Sequence, residues 1–293
     1  MQVIYQPLKF YTMNLQNIFS EIENKDPEVF EKLSDRRKAM KDFSSFAGKV
    51  ALASLPFAIG SMFKKAYGQT PADILGVLNY ALTLEYLEAE FYTMGVAAPG
   101  LIPAGTPAVG ALTKIRDDEN AHVNFLKTAI QSSGGTPVAK PTFDFTAGGA
   151  FTGVFSNYDL FLAVAQTFED TGVRAYKGQA GNLKSNNDVL TAALNIHSVE
   201  ARHASHIRYM RRARQTSNPG PLYVGDIRPW IIGNASNIGS SAVQASYNGE
   251  ESTTQAGVNI VTTGNVSTDA ASGAFDEILT KEQVLAIVDP FIV

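Results

Sequence analysis

The sequence predicts an all-α protein whose central part is a four-helix bundle. Four long segments carry apolar side chains at alternating spacings of three and four, and Gly- and Pro-containing stretches separate them. That spacing places side chains on one face of a helix. The composition differs on either side of these segments. We therefore expect an N-terminal segment (1–69), a four-helix bundle (70–215) and a C-terminal extension (216–293).

The composition excludes several classes of function. The chain has 293 residues, no cysteine and a net charge of −4, and its Lys and Arg residues form no long stripe. Disulfides, thiolate zinc sites and cysteine nucleophiles are therefore excluded, and nucleic-acid binding has little support. Any bound metal must be held by carboxylate, imidazole, carbonyl or water, which suits Fe, Mn, Mg or Ca.

The N-terminal segment is typical of an export signal. Arg36 and Arg37 precede an apolar run over residues 46–63, and residues 66–68 (AYG) roughly fit a small-x-small cleavage pattern. The segment resembles a twin-arginine signal, from which Asp35 departs by preceding the arginine pair. The resemblance implies a protein of the periplasm or cell envelope.

Two alternatives to a cleaved signal remain open. Residues 43–63 can act as an uncleaved membrane anchor, although Lys49 interrupts the apolar run. The same residues can also form an amphipathic helix packed on the protein. The charged stretch before Arg36 is long for a signal, so Met13 is an alternative start.

Each predicted bundle helix has an apolar face and an end signal. Gly95 and a Pro-containing stretch end the first helix, and basic Arg211, Arg212 and Arg214 at the end of the fourth suit the helix dipole. The four predicted helices cover residues 72–95, 108–130, 157–181 and 187–215.

The C-terminal extension is rich in Gly, Ser, Thr and Asn, which predicts mostly irregular structure over residues 216–279. Short β-prone patches occur at LYVGDI and VNIVTT. A last short helix is predicted within residues 280–292, where Thr280 and Gln283 have the spacing of a capping box.

A glutamate interrupts the apolar face of each bundle helix. Burying an unpaired carboxylate is costly, and we find no Lys or Arg on these faces to supply the counter-charge. Two divalent cations would balance four carboxylates. The residues are Glu85, Glu119, Glu169 and Glu200.

These glutamates belong to a repeated pattern. His122 follows the second and His203 follows the fourth, each three residues later. Residues three apart on a helix point the same way, so each pair can reach one metal pair. The order Glu, Glu-x-x-His, Glu, Glu-x-x-His is the ligand scheme of the ferritin-like dimetal carboxylate bundles. The predicted metal ligands are Glu85, Glu119, His122, Glu169, Glu200 and His203.

Two tyrosines and two histidines lie near these ligands in the sequence. Tyr92 and Tyr176 each follow a bundle glutamate by seven residues; we treat them as core residues, with hydrogen bonding to the ligands or electron donation as alternatives. His197 and His206 lie one turn to either side of His203 along the predicted face. Each can bond a ligand carboxylate or relay protons, although we favour ordinary bundle histidines.

Four further acidic residues are candidates of lower rank. Asp118 and Asp170 are predicted at the surface or bonded to the ligands rather than to metal. Glu88 lies one turn from Glu85 and can compete with it, whereas Glu90 is predicted to face solvent.

The segments LNYALTLEYLEAEFY, DDENAHVNFL, TFEDTGVRAYKG and FDEILTKEQVLAIVDPF resemble the ferritin-like family that includes plant desiccation-related proteins and bacterial secreted relatives. The resemblance covers roughly residues 70–293 and implies the bundle fold and a role in stress tolerance. The family's dimetal ligand pattern carries over to all six predicted ligands. The export signal and polar extension depart from storage ferritins and argue against an iron-storage cage.

Three functions follow as hypotheses. The first is a redox protein with two Fe or Mn ions that reacts with O₂ or H₂O₂, as an oxidase or a manganese-catalase-like enzyme. The second is iron binding or storage without turnover. The third is a structural, desiccation-type protectant with a vestigial site. Fe and Mn share these ligands, so the metal stays open, and so does a homo-oligomer.

Overall fold

The computed structural model describes residues 72–255 and 257–293. The export signal, the membrane anchor and the alternative start at Met13 therefore lie outside the described residues. Within the described ranges, no helix is both long enough and apolar enough to span a membrane.

Each of the four predicted bundle helices is present. A short 3₁₀ turn, Gly181–Leu183, lies between the third and the fourth. The first helix packs mainly against the second, and the third against the fourth. The helices are α1 (Ala72–Ala97), α2 (Pro107–Ser132), α3 (Tyr158–Ala180) and α4 (Asn187–Ser217).

Polar side chains fix where the last two bundle helices begin. The side chain of Asn157 accepts a hydrogen bond from the Leu160 amide, and Asn186 accepts one from the Val189 amide. Such caps satisfy amides that have no partner inside the helix. Pro107 occupies the first turn of α2, where no amide hydrogen is needed.

The extension contains only short elements. The predicted terminal helix is confirmed, and its capping box between Thr280 and Gln283 is formed. The β expectation for VNIVTT is wrong after Asn259, because the Asn259 side chain caps a helix there. The elements are the 3₁₀ turn Ser241–Ser246, β1 (Thr254–Gln255), antiparallel β2 (Val258–Asn259), α5 (Ile260–Gly264), α6 (Thr268–Ser272), α7 (Lys281–Val288) and the 3₁₀ turn Asp289–Phe291.

The extension contributes to the bundle core. Tyr247 and Phe291 belong to the same buried cluster as Phe91 and Phe161 of the bundle. The ring of Phe291 lies 5.0 Å from that of Phe168 on α3, edge to face. The apolar residues of this nominally polar segment therefore stabilise the bundle through burial.

Arginines on α3 and α4 hold the extension in place. Arg174 lies 2.6 Å from Glu250, and both side chains are almost fully buried. Arg211 is fully buried and donates to the carbonyl oxygens of Leu222 and Asn237, at 2.7 and 3.0 Å. The helix-dipole interpretation of Arg211 is therefore wrong, because the extension folds over the end of α4 and surrounds this side chain.

Asp170 also belongs to this interface. It forms a buried ion pair with Arg208 of α4 and accepts a hydrogen bond of 2.8 Å from the Tyr247 hydroxyl. The surface position predicted for Asp170 is therefore wrong. Because the guanidinium of Arg208 pairs with Asp170, it does not neutralise the four glutamates of the bundle interior, which need another positive charge.

Candidate metal centre

The six predicted ligands lie together inside the bundle. The four glutamates are fully buried, and the two histidines are less than one-tenth exposed. His122 Nδ1 lies 3.1 Å from oxygens of both Glu85 and Glu119, and 3.3 Å from Glu200. His203 Nδ1 lies 2.7 Å from Glu119 Oε1 and 3.4 Å from Glu169 Oε2.

These residues form two overlapping groups. Each group offers four donor atoms within 4.8 Å of one another, and Glu119 and Glu200 belong to both. The six residues together form one cluster with a histidine at each end. The overlap arises because the glutamates of α2 and α4 lie between these ends, whereas the glutamates of α1 and α3 each belong to one group. The first group is Glu85, Glu119, His122 and Glu200, and the second is Glu119, Glu169, Glu200 and His203.

Four buried carboxyl groups meet two imidazoles in this cluster, and their pKa values are shifted accordingly. Burial raises the pKa of Glu200 well above its usual range, and the neighbouring Glu119 raises it further. Burial also raises the pKa of Glu119, to about 7, against the opposing effect of both histidines. Burial alone would lower the pKa of His203, but Glu169 and Glu119 raise it to about 11. Metal-free protein therefore retains protons in this cluster at neutral pH.

Several buried atoms of the cluster are oriented away from hydrogen-bond geometry. His203 Nδ1 is close to Glu119 Oε1, yet within the described chain neither atom makes a hydrogen bond of acceptable angle. Unpartnered buried polar atoms are costly. His122 Nδ1 is hydrogen-bonded to Glu85 and Glu119, but five other atoms of the cluster converge without a partner, which suits a cation, so this residue set fits metal ions. The atoms are Glu119 Oε1, Glu169 Oε2, Glu200 Oε1, Glu200 Oε2 and His203 Nδ1.

The two tyrosines are core residues that also bond the glutamates. The Tyr92 hydroxyl of α1 donates to Glu169 Oε1 of α3 at 2.6 Å. The Tyr176 hydroxyl of α3 donates to Glu85 Oε1 of α1. Each bond uses one carboxylate oxygen and leaves the other directed at the cluster.

Asp118 lies behind one histidine. Its Oδ2 is 3.3 Å from His203 Nε2, and Lys114 pairs with its other oxygen. A carboxylate bonded to one nitrogen of a histidine fixes the orientation of the ring and leaves the other nitrogen, here Nδ1, free to face a metal ion. Of the two positions predicted for Asp118, at the surface or bonded to a ligand, the structure shows the second.

The other two histidines contact different groups. His197 Nδ1 lies 3.0 Å from the carbonyl oxygen of Val173, as expected for an ordinary bundle histidine. His206 is exposed and its ring lies beside that of Tyr209. The prediction that His206 shares the buried face of His203 is wrong. His203 lies at the edge of the buried face of α4, and the rotation of about 60° between positions three apart takes His206 past that edge to the solvent side.

Glu88 is a further acidic residue of the bundle interior, beyond the six predicted ligands. It is 4% exposed and lies in the interior, in addition to Glu85 rather than in its place. Its signal was present in the sequence, because Glu85-x-x-Glu88 repeats the spacing of Glu-x-x-His. Glu90 pairs with Lys140 and is about one-quarter exposed.

The comparison with protein families agrees with this geometry. The model of the ferritin-like domain matches residues 73–213, which cover nearly all of the four bundle helices. No curated protein matches the chain. Residues 73–213 are therefore similar to the ferritin-like domain, and the buried Glu/His cluster within them could hold metal ions.

Proposed function

We propose that the protein binds two metal ions, Fe or Mn, and reacts with O₂ or H₂O₂. The observation that carries this proposal is the overlap of two four-residue groups through Glu119 and Glu200. Two separate sites would not need shared glutamates. A single site would not need a histidine at each end.

The residues divide naturally between two ions. Glu119 and Glu200 would contribute to both, while Glu85 with His122, and Glu169 with His203, would each serve one. An adjacent pair of Fe or Mn ions, once bound, supplies redox chemistry toward O₂ or H₂O₂. Protons released on binding come from the glutamates and histidines that metal-free protein keeps protonated.

The surrounding residues prepare this site for small substrates. Tyr92 and Tyr176 hold the carboxylates of Glu169 and Glu85 in fixed orientations. Asp118 orients His203. The burial of the four glutamates keeps bulk water away from the donor atoms, so electrostatic interactions there are stronger than at the surface.

Metal analysis and turnover assays test the proposal together. Protein purified from its native host should contain about two Fe or Mn ions per chain, and the loaded protein should consume O₂ or H₂O₂. Glu119→Gln and Glu200→Gln should lose both properties, whereas Glu251→Gln, on the surface of the extension, should keep them. Metal without turnover would favour the binding or storage hypothesis. Protein that takes up no metal would favour the structural protectant.

We also propose that the protein is exported and acts in stress protection. Arg36 and Arg37 with the following apolar run support export, and the resemblance to desiccation-related proteins supports the stress role. A twin-arginine route would allow the bundle to bind its metal in the cytoplasm before export. Membrane contact through residues 43–63 and homo-oligomer formation stay predictions.

Cell fractionation tests the route. Replacing Arg36 and Arg37 together by Lys should leave folded protein in the cytoplasm, while Arg116→Lys on α2 should be exported like the wild type. A double-lysine variant that still appears outside the membrane would contradict a twin-arginine signal.

A further inference from the structure

The four bundle helices differ at one equivalent position. Three residues after its cluster glutamate, α2 has His122 and α4 has His203, whereas α1 has Glu88 and α3 has Gly172. On a helix, this spacing directs both side chains to the same side. Glu88 therefore lies on α1 where the histidine ligands lie on α2 and α4.

Gly172 leaves the space that Glu88 uses. A Cβ atom at Gly172 would lie 3.3 Å from Glu88 Oε1 and 3.0 Å from Glu200 Oε2. The carboxylates of Glu88 and Glu200 thus approach the same point on α3. Because Glu200 belongs to both four-residue groups, Glu88 borders the shared part of the cluster.

Within the described residues, Glu88 forms no ion pair with a basic side chain. Glu88 is only 4% exposed. Its pKa is raised by burial, and then by Glu200 and three other glutamates of the cluster. By contrast, Glu90 on the same helix has Lys140. A buried carboxyl group among like charges either keeps a proton or needs a cation nearby, so a bound metal ion can take the place of that proton.

We infer that Glu88 is an additional carboxylate ligand of the metal centre, and that it favours ions that take more than four ligands. The inference rests on the proposed metal binding. Each group already offers four donor residues, which is complete for tetrahedral Zn²⁺. Mn²⁺ prefers six ligands, mostly oxygens. Glu88 as a fifth protein ligand therefore contributes to Mn²⁺ binding and little to Zn²⁺ binding.

Titration of metal-free, full-length protein with Mn²⁺ and with Zn²⁺ tests this inference. Glu88→Gln should weaken Mn²⁺ binding on the order of tenfold and leave Zn²⁺ binding nearly unchanged. Glu88→Asp keeps the charge but withdraws the oxygens by one methylene, so it should behave like Glu88→Gln. Glu90→Gln is the matched control on α1 and should bind both ions as the wild type does.

Each outcome separates the inference from the proposed function. Wild-type protein that binds neither ion would contradict both. Wild-type binding with equal losses for Mn²⁺ and Zn²⁺ in Glu88→Gln, or with no loss, would overturn the inference alone. Wild-type Mn²⁺ affinity in Glu88→Asp would also overturn it, because charge rather than ligation would then be sufficient. Glu88→Gln keeps the size and polarity of the side chain, so the variant should fold; thermal melting of the metal-free variants checks this.

Discussion

Tyr92 donates a hydrogen bond of 2.6 Å to Glu169, and the bond joins α1 to α3. Tyr176 on α3 makes the corresponding bond to Glu85 on α1. In each helix the tyrosine follows the glutamate by seven residues. The two bonds are therefore equivalent: the tyrosine of each helix bonds the glutamate of the other. The two helices therefore hold the two ends of the cluster in equivalent ways.

Removing either tyrosine hydroxyl should weaken the site. Tyr92→Phe and Tyr176→Phe each leave a buried carboxylate oxygen without its donor, at a cost of about 1–3 kcal/mol in the free energy of unfolding of metal-free protein. Metal affinity should fall on the order of tenfold, because the carboxylate is less firmly oriented. Urea denaturation and metal titration measure the two effects. Tyr209→Phe, at an exposed position on α4, is the control, and equal results for all three variants would contradict the prediction.

The stability of metal-free protein should fall as the pH rises. The pKa of Glu119 is raised from 4.5 to about 7, so between these values the folded state binds a proton that the unfolded state has released, and stability is lost through this window. The pKa of His203 is raised from 6.5 to about 11; its contribution is complete below pH 6.5 and is lost towards pH 11. The lowered pKa of Glu85 acts in the opposite direction, but only below its ordinary value of 4.5.

Bound metal should remove this pH dependence, because metal displaces the protons. Urea midpoints between about pH 5 and about pH 9, with chelator and with Mn²⁺, measure the difference. The stabilisation by metal should grow as the pH rises. A metal-free protein that becomes more stable over this range would show that the cluster does not hold the protons.

The buried pair of Arg174 and Glu250 should be needed for docking of the extension. Arg174→Met leaves Glu250 buried without its partner, which should cost about 3–5 kcal/mol in the free energy of unfolding. Adding Glu250→Gln should recover part of the loss. Arg228→Met breaks an exposed pair with Asp226 and should cost less than about 1 kcal/mol. Chemical denaturation measures all three variants, and equal costs for Arg174→Met and Arg228→Met would contradict the burial argument.

The close approach of the extension to α3 gives a steric test. A Cβ atom at Gly178 would collide with the carbonyl oxygen of Leu279, whereas no atom of the described residues lies within 4 Å of one at Gly181. Gly178→Ala should therefore destabilise the protein by about 1–3 kcal/mol. Gly181→Ala should be neutral or stabilise it by up to about 1 kcal/mol, since alanine restricts the unfolded chain. Thermal melting compares the two, and a neutral Gly178→Ala would mean that residues 274–280 do not dock on α3.

The sequence by itself determined the bundle and the six clustered side chains. Spacings of three and four identify helix faces without knowledge of the fold. A glutamate on such a face must be compensated, which is why Glu85 and Glu169 could be selected without a histidine beside them. Local chemistry also determined the capping box at Thr280, because both of its partners lie within one turn.

Only the tertiary structure decided which polar residues join the cluster and which hold the extension. Glu88 and Glu90 are close in sequence, but only Glu88 points to the cluster, where Gly172 on another helix has no side chain and leaves space for it. Arg211 resembles any basic residue at a helix end until the carbonyl groups of the extension surround it. Periodicity specifies the side of a helix on which a residue lies. The charge, space and partners that a residue meets there come from segments distant in the chain, so they depend on the packing.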